Sequence, residues 1–170
     1  MTEGDARSAA DGLPSKQVLR KELSTLLAAD LQTIERAHQT THRGATHEEA
    51  KPENDKDTRA LEQSYLARGQ AQRVIELRRA LLEVDAMELA PLESNAAVVQ
   101  GALVHVDDEQ QSQWLFLAPH GGGSLLAQGR VRVVTPQSPL GRALLGKRAG
   151  EECAVRIAER QRQMSLLEIR

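Results

Sequence analysis

Little in this chain can be cross-linked, stacked or buried in lipid. One cysteine, Cys153, stands among 170 residues, so no internal disulfide can form. Tyr65, Trp114 and Phe116 are the only aromatic side chains. That is too few for the base-stacking platforms that grip single strands, and direct reading of an RNA or DNA sequence is not expected. There is no run of about 18 apolar residues and no charged-then-apolar leader, which argues against membrane insertion and secretion and leaves a cytoplasmic location as the expectation. The formal net charge is only −2, which argues against indiscriminate attraction to nucleic acid or to an anionic membrane.

Charge is instead concentrated. The segment "HEEAKPENDKD", residues 47–57, holds five carboxylates and two lysines. Like charges on a short connection repel, so such a loop makes sense when something outside the chain needs the charge. Directly after it the sign reverses: residues 58–79 carry Arg59, Arg68, Arg73, Arg78 and Arg79 against Glu62 and Glu76.

The acidic segment separates two helical patterns. Residues 1–15 are small and polar and read as a loose tail, with Ser15 placed to cap a helix starting at Lys16. From Lys16, the residues Leu19, Leu23, Leu26, Leu27, Leu31, Ile34 and Ala37 recur at three- and four-residue spacings, with no Gly or Pro before Gly44. Thr58 to Val84 is again free of Pro, with Leu61, Tyr65, Val74, Leu77, Leu81 and Val84 at helical spacing. Two helices of similar length with narrow apolar stripes can cover one another as an antiparallel coiled-coil hairpin, or form half of a four-helix bundle. Helical periodicity stops beyond "APLES", residues 90–94, which leaves no further long helices for a bundle. The expected organisation is therefore a tail (1–15), a coiled-coil arm (16–88) with an acidic tip at 47–57, and a C-terminal domain (95–170).

That C-terminal part reads as β. Residues 96–108, 113–119, 129–136, 153–159 and 163–170 are short Val- or Leu-rich runs parted by Gly, Pro and polar clusters, which predicts a small antiparallel sheet and an α+β chain. "PHGGGSLL" is a glycine turn without the Lys-Ser/Thr of a phosphate loop. Within "SPLGRALLGKRAGEE", residues 138–152, Ser138 suits an N-cap, Pro139 the first helical position and Gly146 the stop of one short helix.

The run "VTPQSPLGRALLGKRAGEECAVRI" resembles the C-terminal domain of the bacterial GreA/GreB transcript-cleavage factors, where a strand leads to a Ser-Pro helix, a Gly-Lys turn and another strand. Glu53-Asn54 followed by "LEQSYLARGQ", with Gly69 sixteen residues after Glu53, is similar to the tip and descending helix of the same family. The resemblance covers residues 16–170. It implies an FKBP-like C-terminal domain and a coiled-coil arm that enters the secondary channel of RNA polymerase at the β′ subunit. The protein would then be an accessory factor and not itself an enzyme. It further implies that tip acids, here Glu49, Glu53 and Asp55, help hold a Mg²⁺ shared with the polymerase and position water, so that the polymerase's own site cleaves the 3′ end of backtracked RNA. Arg59, Arg68 and Arg73 would meet RNA or phosphate, with a solvated face paired to Glu62 and Glu76 as the alternative. Ser138, Pro139, Gly141, Gly146 and Lys147 would dock on the polymerase, and a monomer is the simplest state for one channel.

The chain departs from the family pattern at the tip. Where the family has a first acid three residues before Glu-Asn, this chain has Ala50, with Glu49 one residue earlier and Pro52 bending the loop. A cleavage-deficient relative that occupies the channel and modulates or inhibits the polymerase therefore stays open. So do an unrelated coiled-coil scaffold and a metal-dependent nuclease, although a nuclease lacks a second carboxylate group elsewhere to pair with the loop. His38, His42 and His47 read as solvent-facing histidines without a zinc partner set. Trp114 and Phe116 share a parity in one strand and are expected in the core, where they are poor material for a prolyl isomerase pocket.

Overall fold

A computed structural model of the chain describes residues 12–45, 58–89, 91–93, 95–108, 111–157 and 160–170, without the side chains of residues 38, 41–45, 58–61, 63, 64, 157 and 160. Along these residues run helices α1 (Lys16–Ala45) and α2 (Thr58–Asp85) and strands β1 (Leu103–Asp107), β2 (Ser112–Leu117), β3 (Leu125–Leu126) and β4 (Val131–Val134). Helix α3 (Pro139–Leu144) and strands β5 (Glu152–Ile157) and β6 (Arg160–Ile169) complete the order. The α+β class expected from the sequence is what the chain builds.

The chain divides into two compact units. One takes in the chain through Ser24 together with Glu83–Arg170, and the other is Thr25–Leu82.

The first unit is organised by a six-stranded sheet in the order β3-β4-β2-β1-β6-β5. The sheet is mixed, which corrects the antiparallel expectation: β2 and β4 run parallel, with Trp114 opposite Val131 and Phe116 opposite Val133. Alternating apolar residues announce a strand but carry no information on its direction. Here the chain returns through the glycine turn and the two-residue strand β3, which pairs antiparallel with β4 and was too short to be read. The first strand also begins later than the run 96–108 suggests. Gly101 has φ +86, and the Ala102 N–H donates to the Val99 carbonyl at 3.1 Å, so a turn precedes Leu103.

Strand alternation gives the sheet two apolar faces. On one, Val104, Val106, Leu115, Leu117, Val155, Met164 and Leu166 cluster with Leu144 of α3 and with Cys153. The single cysteine is thus a core side chain, and burial pushes its thiol above the ordinary value. On the other face Leu103, Phe116 and Val133 lie opposite one another in register and are buried. The same unit contains the first turns of α1 and the end of α2, where Leu19, Leu23 and Val84 are fully buried. Each such aliphatic side chain contributes roughly 1.5–3 kcal/mol by leaving water.

Side-chain hydrogen bonds tie these helix ends down. Glu22 accepts from the Ala127 N–H with both oxygens, at 3.1 and 3.0 Å, and Arg20 donates to the Met87 carbonyl at 3.0 Å. Ala127 and Gln128 have φ of 52 and 60, the left-handed region that the β3–β4 turn requires. The Glu22 carboxylate fixes the backbone of that strained turn. Ser15 begins α1 as expected, its Oγ accepting from the Val18 N–H at 3.4 Å.

The second unit is helical. Leu27 of α1 and Leu77 and Ala80 of α2 are buried, while Leu31, Ile34, Val74 and Leu81 are half-buried. Glu35 of α1 accepts from Arg78 of α2 at 2.7 Å. Three residues counted into the apolar stripes do not belong there: Leu26 is 41% exposed, Tyr65 is 64% exposed, and Ala37 is exposed as well. Their spacing fits a helix but not the buried side of it. No helix among the described residues is long and apolar enough to cross a membrane.

Candidate functional site

The acidic tip residues Glu49, Glu53 and Asp55, with Ala50 and Pro52, lie outside the described residues, as does His47. What the structure describes is the frame on either side. Helix α1 ends at Ala45 after 30 residues, and α2 starts at Thr58 and runs for 28. At about 1.5 Å per residue these helices are close in length, roughly 45 and 42 Å. Among the described residues, no group of three or more His, Cys, Asp or Glu side chains is placed to share a metal.

The three arginines singled out on α2 are not on one face. Arg59 lies in the first turn, and its side chain is not described. Arg68 is exposed, and Arg73 is exposed in a 3.3 Å ion pair with Glu76, both partners being about half in solvent. Five residues turn a helix by about 500°, so Arg68 and Arg73 point some 140° apart. The Arg73–Glu76 pair is of the exposed kind worth about 0.2–1 kcal/mol, and it matches the solvated face that was the alternative to phosphate contact.

The five residues expected to dock are all accounted for by local structure. Ser138 caps α3: its Oγ accepts from the Gly141 N–H at 3.0 Å and donates to the Thr135 carbonyl at 2.8 Å. Pro139 occupies the first helical position, where a missing N–H costs nothing. Gly141 is buried against the preceding turn, and a Cβ there would run into the Thr135 carbonyl oxygen. Gly146 has φ +79 just after the helix, and its N–H donates to the Val98 carbonyl at 2.9 Å. Lys147 accepts from the Val98 N–H at 2.8 Å through its backbone, and its Nζ donates to Glu151 at 3.2 Å. Glu151 also accepts from the Arg148 N–H at 2.6 Å. That backbone bond first, and Lys147 second, hold its carboxyl below the ordinary range. Gly141 and Gly146 are therefore required by the turn itself, and Pro139 is the exposed side chain at the start of the helix.

Sequence reasoning placed Trp114 in the core. Phe116 is fully buried, but Trp114 is half-buried and stacks on His105, with centroids 4.4 Å apart and planes inclined by 8°. The Arg170 guanidinium lies 4.7 Å from the Trp114 ring centroid and donates to Glu168 at 2.8 Å. His105 Nε2 is 2.6 Å from Ser112 Oγ. The shared parity of Trp114 and Phe116 was readable, but the pairing of His105 with Trp114 needs the β1–β2 register. His105 and Arg170 thus both pack on the Trp114 ring.

No protein-family model matches this chain, and no curated protein matches it. Among solved structures it is similar to the GreA factor homolog 1 (Gfh1) of Thermus thermophilus, at 15% identity and a TM-score of 0.38, covering 86% of this chain and 94% of that one. The Gfh1 of Thermus aquaticus gives 15% identity and a TM-score of 0.38 over 88% of this chain and 94% of that one. A prokaryotic transcription elongation factor GreA/GreB from Nitrosomonas europaea gives 17% and 0.35, over 66% of this chain and 94% of that one. Likenesses of this order leave the chemistry of the chain to be read from its own residues.

Proposed function

We propose that this chain is an accessory factor of RNA polymerase that acts through the acidic segment between its two long helices, in the manner of the GreA/GreB factors its sequence resembles. The observation that carries the reading is positional. Five carboxylates of residues 47–57 stand between the end of α1 and the start of α2, helices of 30 and 28 residues. What supports an antiparallel hairpin is that Arg20 early in α1 reaches Met87 just after α2, while Glu35 further along α1 meets Arg78 further back in α2. On this reading the helix pair carries Glu49, Glu53 and Asp55 into the secondary channel.

Carboxylates are the donors that Mg²⁺ accepts, and one or two of them commonly suffice when phosphate and water complete the shell. Glu49, Glu53 and Asp55 would share such an ion with the polymerase, whose active site supplies the chemistry of cleaving the RNA 3′ end. The chain's own part is to bring anionic oxygens to the site and orient water there. The residues of the Ser138–Lys147 turn would rest on the polymerase outside the channel.

The test is RNA cleavage in backtracked elongation complexes with Mg²⁺. Cleavage is expected to rise when the full chain is added and to be lost when Glu49, Glu53 and Asp55 are all changed to alanine. Cleavage that survives the triple change would remove the tip mechanism. Ala50, standing where the family has an acid, favours one specific second reading: a channel occupant that slows elongation or initiation without cleaving. Binding and slowing with no added cleavage would select it.

A further inference from the structure

The sheet has two outer strands, β3 and β5, and they are not alike. Strand β3 is two residues long, too short to serve as a template for another strand. Strand β5 runs for six residues without a proline, and among the described residues only β6 pairs with it. An edge of that length presents a row of backbone donors and acceptors to whatever lies beside it.

Which groups point outward follows from the β5–β6 ladder. The Leu166 N–H donates to the Glu151 carbonyl at 2.9 Å, so Leu166 of β6 turns its backbone toward β5. Bonding in an antiparallel pair alternates residue by residue, so Met164 and Arg162 turn the same way and meet Cys153 and Val155, their partners in register. Glu152, Ala154 and Arg156 therefore direct their N–H and C=O groups away from the sheet. Among the described residues, no backbone hydrogen bond outside the ladder involves them.

Their side chains are exposed, while Cys153 and Val155 between them are buried. Across the ladder stand Ser165, Gln163 and Gln161, all uncharged, so β6 sets no opposite charge against Glu152 or Arg156. No ion pair among the described residues uses either one.

An edge protected by charge repels a second copy of itself. Strand β5 instead carries one charge of each sign, placed symmetrically about a small residue. When a second β5 is laid antiparallel with Ala154 opposite Ala154, the outward N–H and C=O groups bond reciprocally, and Glu152 of each copy stands opposite Arg156 of the other. Opposite charges directly across two strands are stabilising, and like charges destabilising. Sliding the copies by two residues loses both pairs. Sliding by four brings Glu152 against Glu152 or Arg156 against Arg156, and a parallel, in-register pair sets like charges side by side. Backbone parity and side-chain charge thus select the same register, and the contact is isologous, one strand supplying both halves.

We infer that β5 is a self-recognition edge, on which a second copy of this chain adds antiparallel about Ala154 with Glu152 and Arg156 paired across the two-fold axis. This departs from the monomer expected for one channel, and it does not depend on the reading of the acidic tip.

The test is sedimentation velocity of the full chain at low salt, from about 5 to about 500 µM. The interface is small, and a dissociation constant on the order of 10–100 µM is expected. E152R sets two arginines against each other at both ends of the pairing, and R156E sets two glutamates there. Each is expected to weaken association at least about tenfold. The double variant E152R/R156E exchanges the signs and is expected to associate within about threefold of the wild type. Mixed together, the two single variants are expected to pair with each other. If one single variant fails to fold, the other and the double variant decide. Absence of association up to about 500 µM would overturn the inference, as would a dimer that the single variants leave intact. A chain that stays monomeric while it binds a fluorescently labelled Thr-Val-Thr-Val-Thr-Val peptide, read by anisotropy, would also overturn it, in favour of a foreign strand.

Discussion

Gly141 and Gly69 both sit inside helices, one in each unit of the chain, and they teach opposite things. A Cβ on Gly141 would collide with the Thr135 carbonyl oxygen, so the residue is glycine because the sheet unit folds its backbone tightly there. A Cβ on Gly69 would meet nothing within 4 Å among the described residues. No close approach among them calls for glycine there, and in a helix interior it costs about 1 kcal/mol relative to alanine. The same contrast runs through both units. In the sheet unit the unusual residues answer to neighbours within that unit: Gly141 to Thr135, Gly146 to Val98 and Ala127 to Glu22. In the helical unit the unusual residues, Gly69, Tyr65, Ile75 and Leu82, are exposed among the described residues.

The strongest way to break this contrast is Gly141→Ala. The clash is with backbone, which cannot rotate aside as a side chain can, and the expected loss is about 3 kcal/mol, at the upper end for overpacking. Trp114 is the single tryptophan and lies in the same unit, so its fluorescence during denaturant unfolding reads the change. An unaltered midpoint would mean that the Ser138–Gly146 turn is looser than its hydrogen bonds imply, and the turn would then lose its structural explanation.

Next in size comes a pair two residues apart on α2. Leu77 is 3% exposed and Ile75 61% exposed. Leu77→Ala is expected to cost about 2–3 kcal/mol, as buried leucines do, and Ile75→Ala to stay within about 0.5 kcal/mol. Thermal melts followed by helical circular dichroism separate them. Equal losses at the two positions would show that the face of α2 bearing Ile75 is covered by the chain itself.

Gly69→Ala should act with the opposite sign. With open space around it, an added methyl raises helix propensity, and a gain of about 1 kcal/mol is expected in the same melts. An unchanged or lowered midpoint would show that a neighbour packs against the bare backbone at Gly69.

These two kinds of residue also mark what the sequence could disclose. Signals that are local were legible: Ser15 and Ser138 as caps, Pro139 and Gly146 at the two ends of α3, and the long three- and four-residue periodicities of α1 and α2. Signals that need a partner segment were not. The parallel pairing of β2 with β4 depends on a two-residue strand, and the stack of His105 on Trp114 depends on register. Tyr65 was counted with Val74 and Leu77, yet nine residues turn a helix by about 900°, which sets Tyr65 and Val74 on opposite faces of α2. The Glu22 carboxylate and the Ala127 backbone are 105 residues apart, and nothing near either one in the sequence announces the other. Of the proposed site, the Glu- and Asp-rich composition of residues 47–57 was legible, and the geometry of those acids lies outside the described residues.

The smallest expected effect is one of pH, at Glu151 in the sheet unit. Its carboxyl is held below the ordinary range first by the Arg148 N–H and then by Lys147, while the side chain remains exposed to water. A carboxyl whose folded pKa lies below its unfolded value, about 4.3 for Glu, stabilises the fold above the unfolded value. That contribution fades as the pH falls through the folded value, because the protonated form gives up the charge that both donors favour. Glu151→Gln is neutral at every pH and keeps one oxygen as an acceptor. The wild type should therefore be slightly more stable than the variant above about pH 5, and the two unfolding midpoints should converge under acid. A constant offset from neutral to acid pH would mean that Glu151 acts by shape and hydrogen bonding alone. The Lys147–Glu151 link would then be a solvated contact of the exposed kind, adding no charge-dependent stability to the turn.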